Sequence, residues 1–115
     1  MVEPTPPTIV VMTNANIPPE HVNDVLLGIE EEGMPHELSH GDSINPLVLA
    51  HQAANRSRLG IGIGIALDYI VVTTPQLPEG RPYLATLCTR GDAIRRAAGA
   101  NAARLVKRVP LLALT

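Results

Sequence analysis

A chain of 115 residues with 45% hydrophobic residues and a formal charge of −2 suits one domain with a modest core. Its aromatic residues are Tyr69 and Tyr83, which excludes an aromatic platform for single-stranded nucleic acid, and its weak acidity excludes a general polyanion-binding surface. The single cysteine, Cys88, cannot form an internal disulfide. With neither a basic signal sequence after Met1 nor an apolar run of about 20 residues, we expect a cytoplasmic protein.

The first half of the chain alternates between strand and helix patterns. Residues 1–7 hold three prolines and predict a flexible N-terminal lead-in before a single domain over residues 8–115. Pro18-Pro19 suits the first turn of a helix, and Asn45-Pro46 suits an N-cap followed by the first helical residue. The predicted elements are a buried strand over 8–13, a helix from 18 to about 32, a strand over 36–39 and a helix from 46 to between 55 and 57.

The second half begins with GIGIGIA, Gly60–Ala66, in which glycine and isoleucine alternate. Alternation predicts a strand with one isoleucine face and one nearly bare face, against which a helix of the same domain packs closely. The spacing is not the G-x-G-x-x-G of a dinucleotide-binding loop, so we reject cofactor binding there. The remaining predicted elements are a turn at 67–68, strands over 69–73 and 83–88, a helix from 91–92 that ends before 110, and a short terminal strand over 111–114.

The resulting order is β-α-β-α-β-β-β-α with a closing strand, which is typical of an α/β domain. Alternation in the first half implies parallel strands joined by right-handed crossovers. We therefore predict a single α/β domain whose mixed, mostly parallel sheet is flanked by helices in two or three layers.

The segment VLLGIEEEGMP, Val25–Pro35, has the pattern of an amphipathic helix end that carries concentrated negative charge. Gly33 stands where a left-handed residue commonly follows a helix. Glu30, Glu31 and Glu32 lie in the last turn, where the helix dipole is negative, so each exposed and unpaired carboxylate costs about 0.3–1 kcal/mol. The three acids therefore form either a solvated cap or a group that holds a cation.

Patterns for catalysis or metal binding are weak elsewhere in the sequence. His36 and His40 fall in a predicted strand and its exit, and the chain has no H-E-x-x-H set, so we expect no zinc site. No serine lies in a nucleophile-elbow context. Cys88 falls in an apolar predicted strand and is interpreted as a small core residue. We therefore expect no catalytic residue in this chain.

The C-terminal segment GANAARLVKRVP, Gly99–Pro110, combines an asparagine inside a predicted helix with a cationic end. Asn101 is unusual there, because asparagine is a weak helix former that competes for backbone hydrogen bonds. Arg104, Lys107 and Arg108 complement the negative end of the helix dipole. Considered alone, these residues are typical of a solvated helix end.

Together, segments 25–35 and 99–110 resemble the small subunit of the diol/glycerol dehydratase reactivating factor. Family members typically carry leu-gly-ile-glu-glu-glu-gly-ile/val-pro in the first position and gly-asn-asn-ala-ala-arg-leu-val-lys-gly in the second. The middle, HQAANRSRLGIGIGIALD, is similar to the alanine-rich helix and gly-ile-gly strand of the family, so the likeness spans nearly the whole chain. Ala100, Arg108 and His36 depart from the pattern, and they leave open which dehydratase the protein serves.

The resemblance implies a chaperone-like factor for adenosylcobalamin-dependent dehydratases, which become inactive when damaged cobalamin stays bound. In the family, the large subunit is an ATPase with an actin-like core. The small subunit is similar in fold to the dehydratase β (medium) subunit, and it has no catalytic site. Exchange between these two subunits loosens the dehydratase and releases damaged cobalamin. We expect the isolated subunit to form a weak homodimer or higher oligomer, in the cytoplasm or in association with a bacterial microcompartment.

The resemblance also implies a magnesium site that is shared with the large subunit. We choose Glu31 as the ligand from this chain, with Glu30 and Glu32 as second choices. We expect no cofactor on this subunit alone, ATP on the large subunit, and neither nucleic acid nor membrane as a partner. Two alternatives stay open: a β-subunit domain of the dehydratase itself, and a small flavodoxin-like ligand-binding protein. The expected partner interface comprises Glu30, Glu31, Glu32, Asn101, Arg104 and Lys107.

Overall fold

The computed structural model of the chain describes residues 6–114, so residues 1–5 of the predicted lead-in lie outside the described residues. The helices and strands follow the predicted order. They are β1 (Ile9–Thr13), α1 (Pro19–Glu31), β2 (His36–His40), α2 (Pro46–Arg56), β3 (Gly62–Ala66), β4 (Tyr69–Thr73), β5 (Leu84–Leu87), a 3-10 turn (Cys88–Arg90) and α3 (Asp92–Lys107).

The strands form one five-stranded sheet in the order β2-β1-β3-β4-β5. β1 pairs in parallel with β2 and β3, so that Val11 stands opposite Leu38 on one side and Ile63 on the other. β4 is antiparallel to both β3 and β5. The predicted mixed α/β fold is confirmed. The pairings divide evenly instead of being mostly parallel, because no helix separates β3, β4 and β5 along the chain.

Helices on both sides of the sheet give three layers. α1 and α3 pack on one face, which we name the closed face, against Val11, Ile63 and Val72. α2 alone packs on the opposite face, which we name the half-open face, where Met12 and Leu49 form a second core. α2 contacts β1, β3 and β4. No helix in residues 6–114 combines the length and the hydrophobicity that a membrane crossing requires.

The bare strip of β3 is where α2 approaches the sheet. A Cβ on Gly62 would overlap the α2 backbone at Ala54, and a Cβ on Gly64 would overlap it at Ala50. Since any larger side chain would push the helix away from the strand, the two glycines set the depth at which α2 lies. The prediction that a helix of the same domain packs on this strip is confirmed.

On the closed face, α1 and α3 also contact each other backbone to backbone. A Cβ on Gly28 would overlap the carbonyl oxygen of Arg96, and a Cβ on Gly99 would overlap the carbonyl oxygen of Val25. Small residues permit such close approach between helices, and the reciprocal glycines fix how far each helix can slide along the other. The carboxyl ends of the two helices therefore lie side by side.

The predicted strand over 83–88 is too long by one residue at each end. β5 runs from Leu84 to Leu87, and Cys88 begins the 3-10 turn, with its backbone N–H donating to the carbonyl of Asp68 at 2.6 Å. Cys88 is nevertheless fully buried in the core of the closed face, as predicted. Burial is the main cause that raises the pKa of the Cys88 thiol to about 11, and the nearby Asp68 adds to it.

The predicted terminal strand over 111–114 is wrong. Residues 109–114 have no regular secondary structure. The side-chain amide of Asn101 donates to the Leu112 carbonyl at 2.9 Å, and the Leu112 backbone N–H donates back to Asn101 Oδ1 at 2.6 Å. The tail is therefore held against α3 by a side chain instead of by a neighbouring strand.

Candidate functional site

The two segments that carry the family likeness meet at the carboxyl ends of α1 and α3. Glu32 directly follows α1, and Lys107 is the last residue of α3. Lys107 Nζ donates to Glu32 Oε1 at 2.8 Å and to the Glu32 backbone carbonyl at 3.0 Å. Arg104 Nη2 lies 3.2 Å from the other carboxylate oxygen of Glu32. We name this group, with Glu30 and Glu31, the charged helix end.

The charge of Glu32 is balanced within the chain. The hydrogen bond from Lys107 is the main cause that lowers the pKa of the Glu32 carboxyl, and partial burial opposes it. Arg104 lowers the pKa further, by a hydrogen bond and by its charge. Glu32 therefore stays ionised and joined to α3, with two cations already beside it. The same lysine caps a free carbonyl at the end of α1, where the helix dipole favours a cation.

The other two acids have different surroundings. Glu30 Oε1 lies 2.9 Å from Nε2 of His36, the first residue of β2, and the Glu30 side chain is 57% exposed. Glu31 is exposed, and no residue in the described part of the chain forms a hydrogen bond or an ion pair with its side chain. The structure thus separates three neighbouring glutamates into one that pairs with α3, one that pairs with β2 and one that faces solvent.

This arrangement limits how a divalent cation can bind. Within residues 6–114, no group of three or more histidine, cysteine, aspartate or glutamate side chains is placed to hold a metal ion. Glu31 presents a single carboxylate with no internal partner, which fits a ligand for Mg²⁺ when water or another chain supplies the rest. Glu32 fits less well, because a metal there would compete with Arg104 and Lys107.

Asn101 and Arg104, which were predicted to lie at the partner interface, both contact the C-terminal tail. Asn101 is only 1% exposed, and its amide is used by Leu112. Arg104 Nη1 donates to the carbonyl of Pro110 at 2.9 Å, and Arg104 Nη2 lies 3.2 Å from Glu32 Oε2. The sequence marked Asn101 as unusual, but it gave no sign that its partner lies in an irregular tail.

The residues that depart from the family pattern also lie at this end of the molecule. Arg108 stands where glycine is typical and is left-handed at φ +59°, the conformation that favours glycine after a helix. His36 pairs with Glu30. Ala100 is 4% exposed and lies beside Gly28 of α1. Arg108 therefore carries backbone strain, His36 gives Glu30 a partner, and the small Ala100 lets α1 and α3 lie close together.

A surface that was not predicted from the sequence lies on the half-open face, beside the start of α2. Ile44 is 60% exposed, Leu67 61% and Tyr69 46%. With Val71 and Ala85 they line a shallow hollow, which we name the apolar patch. The sequence signal for this surface was Leu67. It lies in a two-residue hairpin turn, where asparagine, aspartate or glycine is typical.

Comparison with known proteins shows the family to which this chain is similar. Residues 6–112 match the dehydratase medium subunit family. The chain is 39% identical over 106 residues to the propanediol dehydratase-reactivating factor small subunit of Citrobacter freundii, over 92% of this chain and 90% of that protein. It is 40% identical over 87 residues to the diol dehydratase-reactivating factor small subunit of Klebsiella michiganensis, over 76% of this chain and 70% of that protein.

Solved structures are similar over almost the whole chain. A glycerol dehydratase reactivase superposes with a TM-score of 0.90 at 31% identity, over 96% of this chain and 100% of that one. A diol dehydratase-reactivating factor complexed with ADP and Mg²⁺ superposes with a TM-score of 0.87 at 34% identity, over 95% and 100%. The chain therefore belongs to the dehydratase medium subunit family and, within it, to the small subunits of diol/glycerol dehydratase-reactivating factors.

Proposed function

We propose that this chain is a non-catalytic docking subunit of a dehydratase-reactivating factor. It pairs with an ATPase large subunit and exchanges with the dehydratase β subunit, so that damaged cobalamin leaves an inactivated diol or glycerol dehydratase. One observation carries the proposal: the two family-typical segments form a single surface at the charged helix end, and Glu31 is its unpaired acid. Glu31 is exposed and its charge is not neutralised by any described residue, so it is available to a partner.

Glu31 is the proposed ligand of a Mg²⁺ ion at the interface with the large subunit. Mg²⁺ keeps several waters and takes only one or two protein carboxylates in many sites. Among the three glutamates of the charged helix end, Glu31 is the one without an internal partner, because Glu30 is paired with His36 and Glu32 with α3. The similar diol factor that is complexed with ADP and Mg²⁺ supports a place for the metal in such an assembly. The remaining ligands are water and groups of the large subunit.

The predicted interface residues divide into direct contacts and supports. Glu30, Glu31 and Lys107 are exposed, and we propose that they face the large subunit. Asn101 is buried, Arg104 bonds the tail, and Glu32 is paired with Arg104, so these three act by holding the surface in place. The backbone contact between α1 and α3 makes that surface rigid, which lowers the entropy lost on docking.

The proposal assigns ATP hydrolysis to the large subunit and no catalytic group to this chain. The cysteine supports this, because a fully buried thiol whose pKa is raised to about 11 is a poor nucleophile near neutral pH. We propose a cytoplasmic location, with or without association with a microcompartment.

Recovery of dehydratase activity tests the proposal. Inactivated holo-dehydratase is incubated with ATP, Mg²⁺, fresh adenosylcobalamin and the large subunit, with and without this chain. We expect activity to return only when both subunits are present. ATP hydrolysis is measured in parallel, and we expect none from this chain alone. Full recovery without the chain, or ATP hydrolysis by the chain on its own, defeats the proposal.

A further inference from the structure

Arg108 follows α3 in a backbone conformation that arginine seldom adopts. Its φ is +59° and its ψ is +41°, in the left-handed region where glycine commonly ends a helix. This conformation closes the helix, because the Val109 N–H donates to the Arg104 carbonyl at 3.1 Å. Glycine would form the same hydrogen bond without strain. Strained residues of this kind are concentrated at functional sites, so the surroundings of the Arg108 side chain are informative.

Arg108 borders a hollow between the carboxyl end of α3 and the C-terminal tail, which we name the tail hollow. Its volume is about 490 Å³, which is enough to receive side chains of another molecule. The apolar side chains that line it are Tyr83, Leu105, Val109 and Leu111. Tyr83 is 52% exposed, Val109 40% and Leu111 39%. The tail hollow therefore combines exposed apolar surface with an arginine.

The positive charge at the tail hollow is not neutralised by the chain. Arg104 also lines it, but Arg104 is paired with Glu32 and bonds the Pro110 carbonyl. Glu32 is paired with Lys107 as well, so one carboxylate there faces two cations. Arg108 is exposed, and no described residue forms a hydrogen bond or an ion pair with its side chain. The hollow thus has excess positive charge in a chain whose formal charge is −2.

We propose that the tail hollow binds a segment of the large subunit that carries a carboxylate next to an apolar side chain. The planar guanidinium of Arg108 can hold a carboxylate through two parallel hydrogen bonds. The apolar side chain packs on Tyr83 and Leu111. A purely apolar segment fits less well, because it would cover Arg108 without pairing its charge, and a desolvated charge without a partner is unfavourable.

The large subunit is the partner because the tail hollow adjoins the charged helix end. Arg104 joins the two regions, since its Nη2 lies 3.2 Å from Glu32 Oε2 and its Nη1 donates to the carbonyl of Pro110, which lines the hollow. This inference rests on the proposed function, in which the large subunit covers the charged helix end. A stable complex buries about 800 Å² on each partner, more than a few exposed side chains supply, so the interface must extend beyond that end.

Titration calorimetry with the large subunit at saturating Mg²⁺ tests the proposal through Arg108→Gly. Glycine suits the left-handed backbone, so we expect the melting temperature to rise by roughly 2–5 °C. We expect binding to weaken at least about fivefold, because the ion pair with the partner is lost. A purely structural residue would not give this combination of higher stability and lower affinity.

Matched variants separate the charge from the apolar contact. Arg108→Gln is expected to weaken binding as Arg108→Gly does, whereas Arg56→Gln, at an exposed arginine that ends α2, should leave the affinity within about twofold of wild type. Leu111→Ser is expected to weaken binding about threefold, and Leu67→Ser in the turn between β3 and β4 is its control. Each titration is run with and without ADP, and we expect the same loss in both.

Wild-type affinity in Arg108→Gly overturns the proposal and leaves the proposed function standing, because Glu31→Ala tests that function separately. A lower melting temperature in Arg108→Gly also overturns it, since Arg108 would then pair within its own chain. So does an equal loss in Arg56→Gln, or a loss that requires ADP, which would assign Arg108 to a nucleotide phosphate. A wild-type chain that does not bind the large subunit defeats the proposed function and this inference together.

Discussion

The two faces of the sheet are completed in different ways. On the closed face, α1 and α3 pack together through Gly28 and Gly99, and their carboxyl ends hold Glu32 between two cations. On the half-open face, α2 is alone, and the apolar patch stays exposed beside it. The difference is one of packing: the closed face holds charged groups on two helices in backbone contact, and the half-open face keeps hydrophobic side chains exposed.

Gly28→Ala tests the rigidity of the closed face and carries the largest expected effect. The added methyl group would overlap the Arg96 carbonyl, so α1 and α3 must move apart. Overpacking of this kind costs about 1–3 kcal/mol. Urea denaturation measures the loss. Gly80→Ala is the control, since no atom lies within 4 Å of the added carbon, and we expect a change within about 0.5 kcal/mol. Equal effects in both variants would contradict the account of the helix contact.

Asn101→Ala tests whether the tail belongs to the closed face, with the next largest effect. It removes both hydrogen bonds to the Leu112 backbone, and each costs about 0.5–1.5 kcal/mol, because water can reach the exposed Leu112 in place of the lost amide. We expect lower stability together with faster hydrogen exchange at the Leu112 amide. The control Asn55→Ala removes an exposed amide that bonds the His51 carbonyl and should change little. Unchanged exchange at Leu112 would show that Asn101 does not hold the tail.

Glu32→Gln tests the charged helix end and has the smallest expected effect, because partly exposed ion pairs contribute little. The folded-state pKa of Glu32 is lowered, chiefly by Lys107, so the ionised carboxylate stabilises the fold above its unfolded-state pKa. That contribution is lost as the pH falls through the lowered pKa. We therefore expect wild type to have a higher melting temperature than the variant at neutral pH and the same melting temperature in acid. A difference in melting temperature that does not change with pH would contradict a role for the ion pairs. So would an equally large difference for Glu79→Gln in an exposed loop.

Hydrophobic periodicity predicted the five strands and three helices of the described residues to within a few residues. It succeeded because the helices bury residues at helical spacing, and because β1 and β3 are short apolar runs that are buried along their whole length. The prediction of a terminal strand over 111–114 was wrong. The apolar residues there are typical of a strand, but the backbone N–H and carbonyl of Leu112 are bound by Asn101. Local pattern does not show which side chain will capture a distant backbone group.

The candidate site was predictable only in part. The cluster of Glu30, Glu31 and Glu32 was evident in the sequence, and so was the cationic end of α3. Their different pairings were not, because Lys107 lies 75 residues from Glu32 along the chain and only the packing of α1 on α3 brings them together. The apolar patch was missed for the same reason, since a loop, a turn and a strand each contribute to it.

Binding of the large subunit as a function of Mg²⁺ concentration tests the role of Glu31 most directly. Titration calorimetry compares wild type with Glu31→Ala, and Glu20→Ala at an exposed glutamate in the first turn of α1 is the control. We expect Mg²⁺ to tighten wild-type and control binding, and we expect Glu31→Ala to lose that gain and bind at least about tenfold more weakly. An affinity for the large subunit that does not depend on Mg²⁺ and is unchanged by Glu31→Ala would contradict this account.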